Sequence, residues 1–194
     1  LEARPIAGTE GATDPFFSPD GQWIGFFATG KLKKVSVSGG AVLTLCDAAN
    51  PRGGAWGAND TIVLAPTAAA GLSQVSAAGG EPQVMTKLKE GEVSHRWPQF
   101  LPDGKTILYA IAAGGDPEDA QIAVHQLDTG EQKILIRGGS DARYVDPSTG
   151  SGQAGYLVYA AAGTLRAARF DLGRLEVTSD PVPVVEKVTM SGTT

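Results

Sequence analysis

Cysteine and histidine are nearly missing from this chain of 194 residues. A single cysteine, Cys46, excludes an internal disulfide, and it lies in the apolar run Val42-Leu43-Thr44-Leu45-Cys46, where a buried inert thiol is expected. The two histidines, His95 and His125, stand far from Cys46 in sequence, so no zinc-ligand spacing exists. No apolar run has the length that spans a membrane, and no basic leader followed by an apolar stretch opens the chain. The first residue is Leu1 rather than Met, from which a processed or excised segment is expected. Positive charge is in deficit as well. A formal net charge of −5 removes any general attraction to nucleic acid or to an anionic membrane surface. No stretch keeps a helical apolar period for more than a turn or two.

What is abundant is turn chemistry. Twenty-six Gly and 12 Pro fall between apolar runs rather than in one tract, which points to folded punctuation and not to disorder. The sharpest instance is Asp14-Pro15-Phe16-Phe17-Ser18-Pro19-Asp20-Gly21-Gln22-Trp23-Ile24-Gly25-Phe26-Phe27. Pro19 presets φ near −65°, Asp20 can bond back to the backbone, and Gly21 accepts positive φ, so the two flanking runs form a hairpin. The pattern returns at Pro98-Gln99-Phe100-Leu101-Pro102-Asp103-Gly104-Lys105-Thr106-Ile107-Leu108-Tyr109. A degraded copy runs from Gly54 to Leu64 across Asn59-Asp60.

Four strands follow each hairpin start. They are read as the two runs that flank Ser18-Pro19-Asp20-Gly21 in the 14–27 hairpin, 31–38 and 41–46, then 55–56, 61–65, 71–77 and 82–88. The next set is 98–101, 106–111, 121–127 and 132–136, and the last is 142–145, 156–160, 164–171 and 182–188. Gly39-Gly40 and Gly79-Gly80 are 40 positions apart, and insertions at 114–119 and 146–155 loosen the later period. Four short strands per ~40 residues predict an all-β fold of β-propeller type. The blades are expected near 13–48, 52–89, 96–137 and 142–188, as one propeller domain or propeller segment over 1–194. Residues 1–9 are expected to be the outer strand of a preceding blade. Ile24, Phe26, Ile62, Leu64, Ile107, Tyr109, Leu157 and Tyr159 should fill the spaces between blades. A β-sandwich is the rival, but sandwich strands need not resemble one another at a fixed spacing.

Ser18-Pro19-Asp20-Gly21 and Leu101-Pro102-Asp103-Gly104, each after an aromatic and before an aliphatic run, resemble TolB-type propeller repeats, relatives of the WD repeat. Phe16 to Gly21, Gly30 to Val35, Asn50 to Gly54 and Ser94 to Phe100 are similar to C-terminal propellers of certain bacterial serine/threonine protein kinases. That resemblance covers nearly the whole chain and implies a sensing or docking module. It lends no phosphoryl transfer, because His-Arg-Asp, Asp-Phe-Gly and the Val-Ala-Ile-Lys lysine are all missing. The implied compartment is extracytoplasmic if the segment follows a membrane-anchored kinase, and cytoplasmic otherwise.

Gly150-Ser151-Gly152-Gln153-Ala154-Gly155 matches a dinucleotide fingerprint in letters only, since it precedes a strand where that site needs a helix. Asp116, Glu118 and Asp119 do not have the spacing of a twelve-residue calcium loop. Asn59-Asp60-Thr61 fits the glycosylation pattern but serves a turn. Trp23, Trp56 and Trp97 are read as packing between blades. No hydrolase elbow is present, no catalytic residue or cofactor is expected, and the chain reads as a non-enzyme. One constellation is more pointed. Arg52 and Arg96 precede the first strands of their units, Arg143 does so approximately, and His95 adjoins Arg96. An innermost strand ends at the central channel, so these four could form an anion site at its mouth. The competing reading has each arginine bonding local carbonyls or an acidic neighbour such as Asp141. The expected partner is a protein or small ligand at the loop or channel face, with self-association through open blade edges. A propeller piece of a prolyl-oligopeptidase-like hydrolase and a periplasmic TolB-like scaffold are the alternatives. The terminal stretches 2–8 and 188–194 read as an orphan outer strand and an unfinished inner one, so an arc cut from a larger ring is expected.

Overall fold

The hairpin chemistry closes as the letters predict. In the computed structural model, which describes residues 4–114, 119–146 and 154–188, β1 (Thr13–Phe17) turns through Ser18-Pro19-Asp20-Gly21 into β2 (Trp23–Ala28). The Ser18 hydroxyl donates to Asp20 Oδ1 at 2.5 Å and accepts the Trp23 N–H at 2.9 Å, while Gly21 N–H reaches Ser18 O at 2.9 Å. These bonds hold the Asp20 carboxyl below its ordinary value, the Ser18 hydroxyl contributing most and the Gln22 N–H next. The later copy keeps the backbone and changes the side-chain partner. Between β9 (Glu92–Phe100) and β10 (Thr106–Ala113), Asp103 takes the Thr106 hydroxyl at 2.6 Å and two backbone N–H groups.

Four antiparallel sheets result, each a meander in chain order. The first is β1-β2-β3-β4, with β3 Lys31–Ser36 and β4 Leu43–Asp47. The second joins β5 (Gly54–Trp56), β6 (Thr61–Leu64), β7 (Ser73–Ser76) and β8 (Gln83–Val84). The third continues from β9 and β10 to β11 (Gln121–Gln126) and β12 (Gln132–Arg137). The fourth holds β13 (Ser140–Val145), β14 (Ala154–Ala161) and β15 (Thr164–Asp171). Its outer edge is divided: β16 (Glu176–Val177) pairs the end of β15 and β17 (Val182–Val185) pairs its beginning. The sequence reading had one strand there, 182–188, and missed β16.

The chain groups into two compact units, the first made of residues up to Lys89 with Ser94–Phe100, the second of Glu90–Val93 with Leu101 onward. Each has its own core. In the first, Phe27, Leu32, Leu45 and Cys46 of one sheet meet Trp56, Ile62, Leu64 and Val75 of the next. In the second, Leu108, Ile122 and Val124 meet Leu157, Tyr159 and Phe170. Alternation assigns Phe26 to the opposite face from Phe27, and there it packs with Ala28, Val35 and the partly buried Ile6, Ile24 and Val42. Ile107 and Tyr109 are buried as expected.

Two expectations change. Residues 4–12 form turns and no strand, with positive φ at Gly8 and Gly11, and Ile6 covers the Phe26 face instead. The first strand of the third unit is also longer than the Pro98–Leu101 assigned to it, since it begins at Glu92. Pro98 lacks an N–H and looks like a strand start, but Trp97 in the left-handed region (φ 51°) carries the chain past it. The terminal residues 189–194, most of the 146–155 insertion with its glycine run, and Asp116 and Glu118 lie outside the described residues.

Cys46 is 8% exposed, and its thiol is pushed up to about 11, by desolvation first and by the Asp47 carboxylate second, with Lys31 pulling the other way. It should therefore resist a thiol reagent at about pH 8 and react at once when urea unfolds the chain, as a chromogenic disulfide assay reads directly. The folded protein keeps this proton to higher pH than the unfolded chain does. Stability from the group is complete below about pH 9 and declines towards pH 11, by on the order of 2 kcal/mol.

Candidate functional site

The four inner strands share one backbone device. Asp14, Gly53, Trp97 and Asp141 all have positive φ, at 46°, 93°, 51° and 45°. The register of β1 on β2 shifts between Thr13 and Phe16, and that of β13 on β14 between Ser140 and Arg143, so the device makes a bulge that re-aims what precedes it. In the second and third repeats the residue just before the positive-φ position is an arginine, Arg52 and Arg96. In the first and fourth it is Thr13 and Ser140. Arg143 thus occupies a different place, two residues after Asp141, where its Nη2 lies 3.0 Å from the Asp141 carboxylate on the exposed surface.

Arg52 and Arg96 are brought together by the glycine between them in this scheme. Gly53 needs a left-handed backbone, and a Cβ there would stand 3.1 Å from Trp97 Cα. That close approach lets Trp97 N–H donate to Arg52 O at 2.7 Å. Arg52 N–H in turn donates to Ala65 O at 3.0 Å, and its Nη1 donates to Asn50 Oδ1 at 2.7 Å and Pro51 O at 3.0 Å, which orients the guanidinium. Arg96 is 6% exposed. Its Nε donates to Ser94 Oγ at 2.5 Å, its Cζ lies 6.0 Å from the Trp97 ring centroid, and it makes no ion pair with a carboxylate among the described residues. Its pKa is lowered, chiefly by burial and then by the positive charge of Arg52.

His95 lies behind them with no exposed surface. Its N–H on the main chain reaches Ala70 O at 3.0 Å, and Nδ1 sits 2.6 Å from Thr86 Oγ1, which also accepts Leu72 N–H at 2.8 Å. His95 therefore orders the wall of the site through Thr86. Ser94 and Thr86 were not singled out from the sequence. Ser94 is legible only once β9 is known to start at Glu92, and Thr86 lies beyond a two-residue β8. Among the described residues no three His, Cys, Asp or Glu side chains are placed to hold a metal.

Inner-strand bulges and four-stranded meanders define a set of propeller blades, two of which carry an arginine at the entry of the first strand. No family model and no curated protein matches the chain. Among solved structures it is similar to a putative TolB from Agrobacterium tumefaciens, at 19% identity over 93% of this chain and 62% of that one, with a TM-score of 0.66. TolB from Acinetobacter baumannii gives 16% identity over 90% and 44%, with a TM-score of 0.67. A prolyl endopeptidase gives 13% identity over 91% and 29%, with a TM-score of 0.58. The chain thus has a TolB-like β-propeller fold and spans less than two thirds of the length of the structures it resembles.

Proposed function

We propose that this chain is a non-catalytic binding module of TolB-like propeller type, in which Arg52 and Arg96 hold an anionic group of a protein or small ligand. The observation that supports it is Arg96. A guanidinium that is almost wholly buried, beside a second guanidinium and without a carboxylate, is doubly unfavourable unless an anion completes it. Both arginines present planar donor forks suited to phosphate or carboxylate, and His95 with Thr86 keeps the wall rigid. Arg143, paired with Asp141, is not required. In the parent protein the module would act as the sensory region that the kinase-type repeats imply, and a second copy would cover blade edges.

Calorimetry with inorganic phosphate and with citrate at low ionic strength tests this reading. Binding is expected in the parent chain, weakened at least about tenfold in Arg96→Gln and in Arg52→Gln, unchanged in Arg143→Gln, and reduced by salt. Equal affinity in the parent and Arg96→Gln would end it. The prolyl endopeptidase likeness favours a second reading, a hydrolase's propeller. A hydrolase domain encoded beside this segment would decide for that; a kinase domain and membrane span upstream would decide against it.

A further inference from the structure

At the other end of β5 from Arg52, the turns β1–β2, β5–β6 and β7–β8 surround a cleft of about 530 Å³, lined by Asp20, Trp23, Lys34, Trp56, Asp60 and Ser76. That volume lies within the range of small-molecule sites, roughly 300–1,000 Å³. We propose that this cleft binds a neutral carbohydrate, one or two sugar rings hydrogen-bonded by Asp60, Asp20 and Lys34 beside the Trp23 and Trp56 indoles.

The case rests on hydrogen-bonding capacity that the fold leaves unspent. Asp60, held at φ 53° in its turn, makes no side-chain hydrogen bond or ion pair among the described residues. Asp20 uses Oδ1 for Ser18 and Gln22, leaving Oδ2 open. Ser76 Oγ accepts from Ala78 N–H at 3.1 Å and keeps its own proton to donate. Lys34 makes no ion pair among the described residues; its Nζ rests 4.6 Å from the Trp23 ring centroid and 5.8 Å from that of Trp56. Trp56 Nε1 is buried with no acceptor among the described residues. Acceptors and donors therefore line the cleft together beside two indoles, a set that adjacent sugar hydroxyls complement.

Charge narrows the class. An anion would face Asp20 and Asp60. A diffusing cation would have to displace Lys34, which is tethered over both indoles at high effective concentration. A neutral polyol meets neither cost. Since Arg52 and Arg96 take no part, this site is independent of the anion site.

Saturation-transfer NMR on the full chain, with tryptophan fluorescence in parallel, would use maltose, cellobiose, lactose and diacetylchitobiose as probes. At least one should give a saturable signal at up to about 20 mM, weakened about tenfold or more in both Asp60→Asn and Lys34→Met. Asn tolerates the left-handed backbone that Asp60 adopts, so the first variant keeps its turn. Phosphate binding and the unfolding midpoint should stay as in the parent for both variants. No signal from any of the four sugars would overturn the assignment. So would unchanged sugar binding in either variant, or tighter binding of putrescine or gluconate at this cleft.

Discussion

Gly71→Ala is expected to lower stability by about 3 kcal/mol or more, although it adds a single methyl group. A Cβ at Gly71 would stand 2.0 Å from the Thr86 carbonyl oxygen and 2.9 Å from its Oγ1. Neither strand can retreat easily. Leu72 O accepts from Met85 N–H at 2.8 Å and Thr86 N–H at 3.1 Å, while Leu72 N–H donates to Thr86 Oγ1 at 2.8 Å. Relief of the clash must break some of these bonds and move Thr86 away from His95. A urea titration should therefore show a lower midpoint, and phosphate binding at Arg52 and Arg96 should weaken in the fraction that remains folded. A midpoint equal to that of the parent would show that the two strands are not held this tightly.

Leu64→Ala is expected to cost about 2–5 kcal/mol, from lost burial and the cavity left behind. Leu64 has no exposed surface and sits with Phe27, Leu32, Trp56 and Ile62, where the first two sheets meet. Val84→Ala is the matched control, because Val84 lies on the edge strand β8 and is 69% exposed. It should stay within about 0.5 kcal/mol of the parent. If the two variants share a midpoint, the core between the first two sheets has been misassigned.

The contrast between these residues shows what the sequence carried. Leu64 was legible because a hairpin turn and an alternating apolar run place it without further information. Pro19-Asp20-Gly21 and Pro102-Asp103-Gly104 set the turns by local chemistry, and the sheets followed from their recurrence. Gly71 was not legible, since its constraint comes from a backbone fifteen residues away. Arg52 and Arg96 were picked out as a spacing, yet their proximity depends on Gly53 and Trp97 both taking positive φ. A tryptophan in that conformation cannot be anticipated from propensity. Arg143 was aligned with them because the fourth repeat is worn, and the bulge at Asp141 shows that Ser140 holds the corresponding place. The cleft at Trp23 and Trp56 was hidden for a related reason: both rings do pack between sheets, and only the position of Lys34 shows that they also border open volume.

The arginine side chains themselves offer the most direct measurement. In a ¹H–¹⁵N spectrum recorded during a titration with inorganic phosphate, the Nε–Hε signals of Arg52 and Arg96 should move together along one saturable curve, while that of Arg143 stays in place. If the Arg96 signal does not move, or moves only in linear proportion to added salt as Arg143 does, the buried guanidinium is a structural element and the anion site does not exist.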